Sequence, residues 1–236
     1  MLFRSAEVEV NEKRWASAEN LLRKAQELDP YDPDVLDNQG LFLMQIGRIK
    51  DALRALQQRH ELEPLGPVFT LAQALMADNQ PAAAIPMLEA PGGNGRLALL
   101  SQAYAMAGRF NDAANTILRT AANFYGDPQA IEQAAQLIRT APRKVGDPST
   151  LHALPGALDF VYDFVGAPDR LLDYPERTVK AGELVATVWF AANYAPVRKT
   201  ERFKRLMREV GLVDYWKASG WPDLCHPTTG DDFACN

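Results

Sequence analysis

Side chains able to do chemistry gather near the end of the chain. Cys225, His226, Asp231, Asp232 and Cys235 fall close together. Thiolate, imidazole and carboxylate are the donors a zinc ion takes, and such a site needs four well-placed ligands. The spacing C-H-x8-C matches no common zinc pattern, so no metal is expected. Cys225 and Cys235 are the chain's two cysteines, with nine residues between them. Pro227 and Gly230 in that interval favour a tight reversal. Two outcomes stay open. One is a disulfide, which needs an oxidising compartment and would stabilise by roughly 2–3 kcal/mol. The other is a pair of reduced, half-buried thiols.

The remaining candidates read as structural. Arg198, Lys199, Arg202, Lys204, Arg205 and Arg208 set six cations against Glu201 and Glu209. An anion or nucleic acid would suit such a run, but no aromatic residues interleave on that face, so a solvated helix face is expected. His60 and His152 stand apart from any nucleophile in sequence. PGGNG at 91–95 lacks the apolar strand that precedes a phosphate loop and reads as an inter-repeat turn. The chain holds no CxxC, HExxH, GxSxG, P-loop or DxDxDG pattern. Catalysis and a cofactor are therefore not expected.

Those residues must be positioned by something, and composition bounds what. The chain has 236 residues, 47 % hydrophobic and 23 % charged, ordinary for one or two globular domains. A net charge of −5 gives no overall basic footprint for nucleic acid. No apolar run reaches the roughly 18 residues of a membrane span, and MLFRSAEVEV has no signal-peptide core.

A spacing pattern recurs four times. Gly40, Leu43, Gly47, Ala52, Leu56 and Pro64 step along the chain, and the same steps run through Ala72, Leu75, Asn79, Ala84 and Leu88. They run again through Ser101, Tyr104, Gly108, Ala113 and Ile117. Upstream they run through Ala6, Lys13, Ala18, Leu22 and Pro30, with Glu9 where an apolar residue belongs. A small residue lets two helices approach, and Gly or Asn ends the first helix in a left-handed conformation. Ala and Leu four apart share one face of the second helix, and Pro stops it. Each unit is thus a helical hairpin of about 30 residues that must stack on its neighbours to bury its apolar face.

Residues 33–64 resemble a tetratricopeptide repeat closely, and residues 95–125 resemble one through AYAMAGRFNDAA. Residues 6–30 resemble a degraded repeat and residues 65–91 a shortened one. Arg59 and Pro91 depart from the pattern, which wants a small residue there. The resemblance implies an all-α fold, a right-handed superhelical array of helical hairpins over 6–141. A helical C-terminal capping region, 151–236, would follow. It also implies a protein or peptide partner in the concave groove formed by the first helices. By register that face holds Leu41, Met44, Gln45, Phe69, Gln73, Met76, Gln102 and Met106. Methionines suit a surface that adapts to its partner.

Past the repeats, Asp127-Pro128 opens a helix through IEQAAQLIRT, and 141–150 reads as a linker. LPGALDFVYDFVG reads as a helix with Leu158, Val161, Tyr162 and Val165 inward. Short helical pieces break at Pro175 and Gly182, and ELVATVWFAANY reads as an apolar helix. TERFKRLMREVGL is amphipathic, with Phe203, Leu206, Met207 and Val210 inward. The last residues, from Tyr215, read as irregular but packed. A small-ligand pocket lined by Trp189, Phe190 and Tyr194 is the alternative to a partner groove.

The end of the chain is similar to the tail of bacterial regulators in which such repeats follow a winged-helix or cyclase output domain. Arg198, Phe203, Gly211-Leu212, Tyr215-Trp216, Gly220, Pro222, Cys225 and Asp232-Phe233-x-Cys235 carry that similarity. It implies a scaffolding or sensory half of a bacterial regulator, cytoplasmic or periplasmic. The first repeat begins mid-pattern, so a fragment of a longer protein is expected. Leu2-Phe3-Arg4-Ser5 reads as adapter-encoded, so residues 1–5 are expected to be extraneous.

Overall fold

The computed structural model describes residues 2–90, 95–119, 127–182, 190 and 194–236. The protein is mostly helical, and the described residues add one two-stranded sheet. In chain order the helices are α1 (Leu2–Asn11), α2 (Trp15–Leu28), α3 (Pro33–Gln45), α4 (Ile49–Leu62) and α5 (Phe69–Ala77). Then come α6 (Pro81–Glu89), α7 (Gly95–Met106), α8 (Phe110–Leu118), α9 (Pro128–Thr140) and α10 (Val161–Phe164). Last are α11 (Asp173–Lys180), α12 (Ala195–Arg198), α13 (Glu201–Glu209) and α14 (Leu212–Ser219). Strands β1 (Cys225–Pro227) and β2 (Phe233–Cys235) close the chain.

Two compact units form: Met1–Asp78 with Glu176–Asn236, and Asn79–Pro175. The expected division was 6–141 and 151–236. Residues 151–175 go with α6–α9, and residues 176–236 go with the first five helices.

In the first unit, α1 packs on α2 and α3 on α4. Helix α2 buries Trp15, Ala18, Leu22 and Ala25, a single stripe at helical spacing. Asp32 caps α3 by accepting from the Asp34 N–H over 2.9 Å, and Pro33 occupies the first turn. Gly40 sits under Leu56, whose Cγ would lie 2.4 Å from any Cβ placed there. That close approach is why the pattern asks for a small residue.

The turns between helices follow the spacing pattern. Lys13, Gly47, Asn79 and Gly108 occupy equivalent pattern positions, and all four have left-handed backbone, with φ of 60°, 86°, 58° and 73°. Gly meets this demand freely, Asn tolerates it, and Lys13 bears a steric cost. Two irregular positions find local solutions. Glu9 receives two bonds from Arg14, at 2.6 and 2.9 Å, which hold its carboxyl down at about 2. Arg59 is buried, and its Nη1 donates to Pro67 O over 2.8 Å and its Nη2 to Glu63 over 3.0 Å. Gly66 lies close enough that a Cβ would meet this guanidinium at 2.7 Å. The large side chain thus braces the loop after α4.

The end of the chain completes the first unit. Thr200 caps α13 by accepting from Phe203 N over 3.1 Å. As its spacing predicts, α13 buries Phe203, Leu206 and Met207, with Val210 just beyond. The stretch from Tyr215 is more regular than expected. Gly211, at φ 77°, restarts the chain as α14, and Gly220 ends it. β1 and β2 then pair antiparallel, with Cys225 opposite Cys235. These two are joined by a disulfide, with Cα atoms 4.0 Å apart.

In the second unit, α7 packs on α6 and on α8, and α9 packs on α8. Asp127 caps α9 as its sequence predicts, accepting from Gln129 N over 2.9 Å. The stretch 154–166 is helical only over α10. Pro155 and Gly156 divert the chain, and the Tyr174 ring lies where a Gly156 Cβ would be. Leu158, Val161, Tyr162 and Val165 are nonetheless all buried. The Tyr162 hydroxyl accepts from Leu154 N over 2.7 Å and donates to His152 O over 2.5 Å. Burial pushes the Asp163 carboxyl up to about 6.

Candidate functional site

The residues placed on the partner face divide between the units. Leu41, Met44, Gln45, Phe69, Gln73 and Met76 lie in the first, Gln102 and Met106 in the second. Within the first unit they do not form one exposed surface. Met44 is 1 % and Met76 2 % exposed, so both are core. Phe69 is 38 % exposed, and Leu41, Gln45 and Gln73 are intermediate. Gln102 and Met106 are also intermediate. Helical register groups these residues but does not show which of them packing buries. Phe190, proposed for a ligand pocket, is fully buried against Trp216 at 6.0 Å, while Trp189 lies outside the described residues.

The end of the chain covers the hairpin turns of the first unit. The Trp15 indole N–H donates to Val210 O over 2.7 Å, and that of Trp216 to Ile46 O over 3.0 Å. Asp223 N donates to Gly47 O over 3.1 Å. A Cβ on Gly47 would meet Pro222 at 2.5 Å and Phe190 at 2.8 Å. Phe233 fills the centre, with Trp216 and Trp221 at 5.9 and 5.7 Å between ring centroids.

The basic run is largely consumed by this packing. Arg198 is buried and donates to Asn236 O over 3.0 Å, and desolvation lowers its pKa to about 10. Arg202 grips Glu176 through two bonds, at 2.7 and 2.8 Å. Lys204 and Arg208 each reach Asp232 at 2.7 Å and hold its carboxyl down at about 2. Lys199 and Arg205 are exposed. His226 is exposed on β1, and the disulfide occupies both thiols.

A groove of about 780 Å³ opens elsewhere in the first unit. Helices α2 and α4 form its walls and α3 its floor. Asn20, Gln26, Gln39 and Gln58 line it, with Arg23, Arg48 and Arg54. Asp51 sits between Arg48 and Arg54 and is paired with both. Glu19 lies 3.9 Å from Arg48, and its charge acts on Tyr215 of α14, so the end of the chain meets one border of the groove. Burial first, and the Glu19 charge second, raise the Tyr215 pKa above its ordinary value. Phe42 lines the groove from α3, 6.4 Å from the Tyr215 ring. Sequence reasoning missed this site because it lies on the side of α3 that carries the packing positions. Its signal was the run of carboxamides at Asn20, Gln26, Gln39 and Gln58.

Compared with known proteins, the chain matches no family model and no curated sequence. No described helix is long and apolar enough to cross a membrane.

Proposed function

We propose that this chain is a protein-interaction module of tetratricopeptide-like hairpins, stacked as a right-handed superhelical array within its units. It would serve as the scaffolding or sensory half of a bacterial regulator. The left-handed residues at Lys13, Gly47, Asn79 and Gly108 support the repeat reading through their spacing, one at the same step of each of the four pattern instances.

The groove of the first unit carries the functional reading. It is open and lined by carboxamides and guanidiniums, whereas a small-ligand pocket is enclosed and mostly apolar. No observation among the described residues favours a ligand pocket around Phe190, which is core. Catalysis forms no part of the proposal.

The test is direct binding. A protein retained by the immobilised full chain from cells that make it is purified and titrated against wild type and Arg23→Glu/Arg54→Glu. Both sites are exposed, so the fold should be kept. Saturable one-to-one binding that weakens at least about tenfold in the variant is expected. Failure to find any saturable partner would overturn the proposal.

A further inference from the structure

Helices of the first unit are gathered at one end. α3 and α4 are joined by a short turn and pack along their length, so the start of α3 lies beside the end of α4. Gln39 on α3 donates to Gln26, near the end of α2, over 3.0 Å. The Thr70 hydroxyl, at the start of α5, donates to Asp37 on α3 over 3.2 Å. The ends of α2 and α4 and the starts of α3 and α5 therefore share one edge.

Large apolar side chains collect there. Leu28, Tyr31, Leu62, Leu65 and Phe69 are exposed at this edge, and elsewhere among the described residues only Val8 and Leu118 are. Leu28 is 78 % and Tyr31 66 % exposed, and Leu65 is fully so. None of the five lines the groove. Single exposed apolar residues are ordinary, but a group at one edge marks a contact surface.

The charge at this edge is of one sign. No lysine or arginine occurs from Ala25 to Gly47 or from His60 to Gly95. Glu27 is paired with Arg23, and Glu63 with the buried Arg59. Asp29, Asp32, Asp34 and Glu61 have no cationic partner among the described residues. Asp29 and Asp32 accept from the backbone N–H groups of Tyr31 and Asp34, over 3.2 and 2.9 Å, which leaves their charge uncancelled. Lys24, one turn earlier on α2, does not balance four carboxylates. Such a field repels a phosphate backbone, an anionic lipid surface and the same edge of a second copy.

We propose that this edge docks a basic, apolar polypeptide segment. Its apolar side chains cover Leu28, Tyr31, Leu62 and Leu65, and its lysines or arginines answer Asp29, Asp34 and Glu61. Apolar cover supplies the affinity, and the carboxylates select the sign of the partner. The surface is separate from the groove between α2 and α4, so the inference goes beyond the reading above.

Three capped heptapeptides test it: alternating lysine–leucine, glutamate–leucine and lysine–serine. Each is titrated into the isotopically labelled full chain. The lysine–leucine peptide should bind at least about tenfold more tightly than the glutamate–leucine peptide, and severalfold more tightly than the lysine–serine one. It should shift the backbone amides of residues 28–34 and 61–65. Leu28→Ser/Leu65→Ser and Asp34→Asn/Glu61→Gln change exposed side chains, and each should weaken it severalfold. Glu132→Gln, an exposed acid elsewhere, should leave it unchanged. Equal binding of the glutamate–leucine or lysine–serine peptide, or full binding by either double variant, would overturn the proposal. So would self-association of the full chain, or sedimentation with phosphatidylcholine vesicles, that Leu28→Ser/Leu65→Ser abolishes. These variants leave Arg23 and Arg54 in place, so this proposal and the groove reading fail separately.

Discussion

At the scale of single residues, burial separates side chains that spacing grouped together. Met44 and Phe69 were both expected to meet a partner, yet Met44 is core and Phe69 is partly exposed. Met44→Ala should cost about 2–5 kcal/mol in a denaturant melt, from lost burial and the cavity left behind. Phe69→Ala should cost less, about 1–2 kcal/mol, because its ring is only partly buried. Gly47 should be equally unforgiving. Its φ of 86° and the nearness of Pro222 and Phe190 leave no room for a Cβ, so Gly47→Ala should cost about 2–3 kcal/mol. Gly108→Ala has the same backbone demand but open space, and should cost only about 1 kcal/mol. Asp163 makes a pH prediction. Its carboxyl is held up at about 6 by burial, above its unfolded value, so the folded state binds the extra proton between about pH 4 and 6. Stability from this residue is present below that window and lost as pH rises through it. Asp163→Asn should match wild type near pH 4 and exceed it by about 2 kcal/mol above pH 6, read by melts across pH.

At the scale of elements, periodicity spoke clearly where one face is apolar and less clearly where geometry is set from a distance. α13 was legible because Phe203, Leu206, Met207 and Val210 repeat at helical spacing. α14 was missed because it is short and mixes Asp214, Lys217 and two large aromatics. Its bounds come from Gly211 and Gly220. The β1–β2 hairpin was missed because each strand is three residues long, too short to show alternation. The disulfide was one of two outcomes the spacing allowed. It pairs residues directly opposite across that hairpin, and two short strands alone are marginal in water. Reduction, or a Cys225→Ser/Cys235→Ser variant, should lower stability by about 2–3 kcal/mol on the loop-entropy account. Near-ultraviolet circular dichroism of Trp216 and Trp221 should weaken as well, because Phe233 packs on both. An unchanged melt under reductant would show that the packed rings hold the hairpin without the bond.

At the scale of the whole molecule, the repeat steps predicted the left-handed residues between helices and the packing of α1 on α2, α3 on α4 and α7 on α8, but α5 and α6 fall in different units. The steps did not reveal that residues 176–236 return to the first hairpins. That return depends on hydrogen bonds across nearly the whole chain, such as Trp15 to Val210 and Trp216 to Ile46. No local pattern encodes such pairings. The candidate site shifted for the same kind of reason. Register placed a partner on the face of Met44 and Met76, whereas both are buried and the groove between α2 and α4 is an open polar surface of the same unit. Site-specific photo-crosslinking of the full chain in its native cell decides between these faces. A photoreactive side chain is placed in turn at Arg54 on the groove wall, at Gln73 on the other face and at Leu118 as a control. The account predicts a single protein adduct that is strong from Arg54 and absent from Leu118. An adduct from Gln73 with none from Arg54, or equal adducts from all three positions, would contradict it.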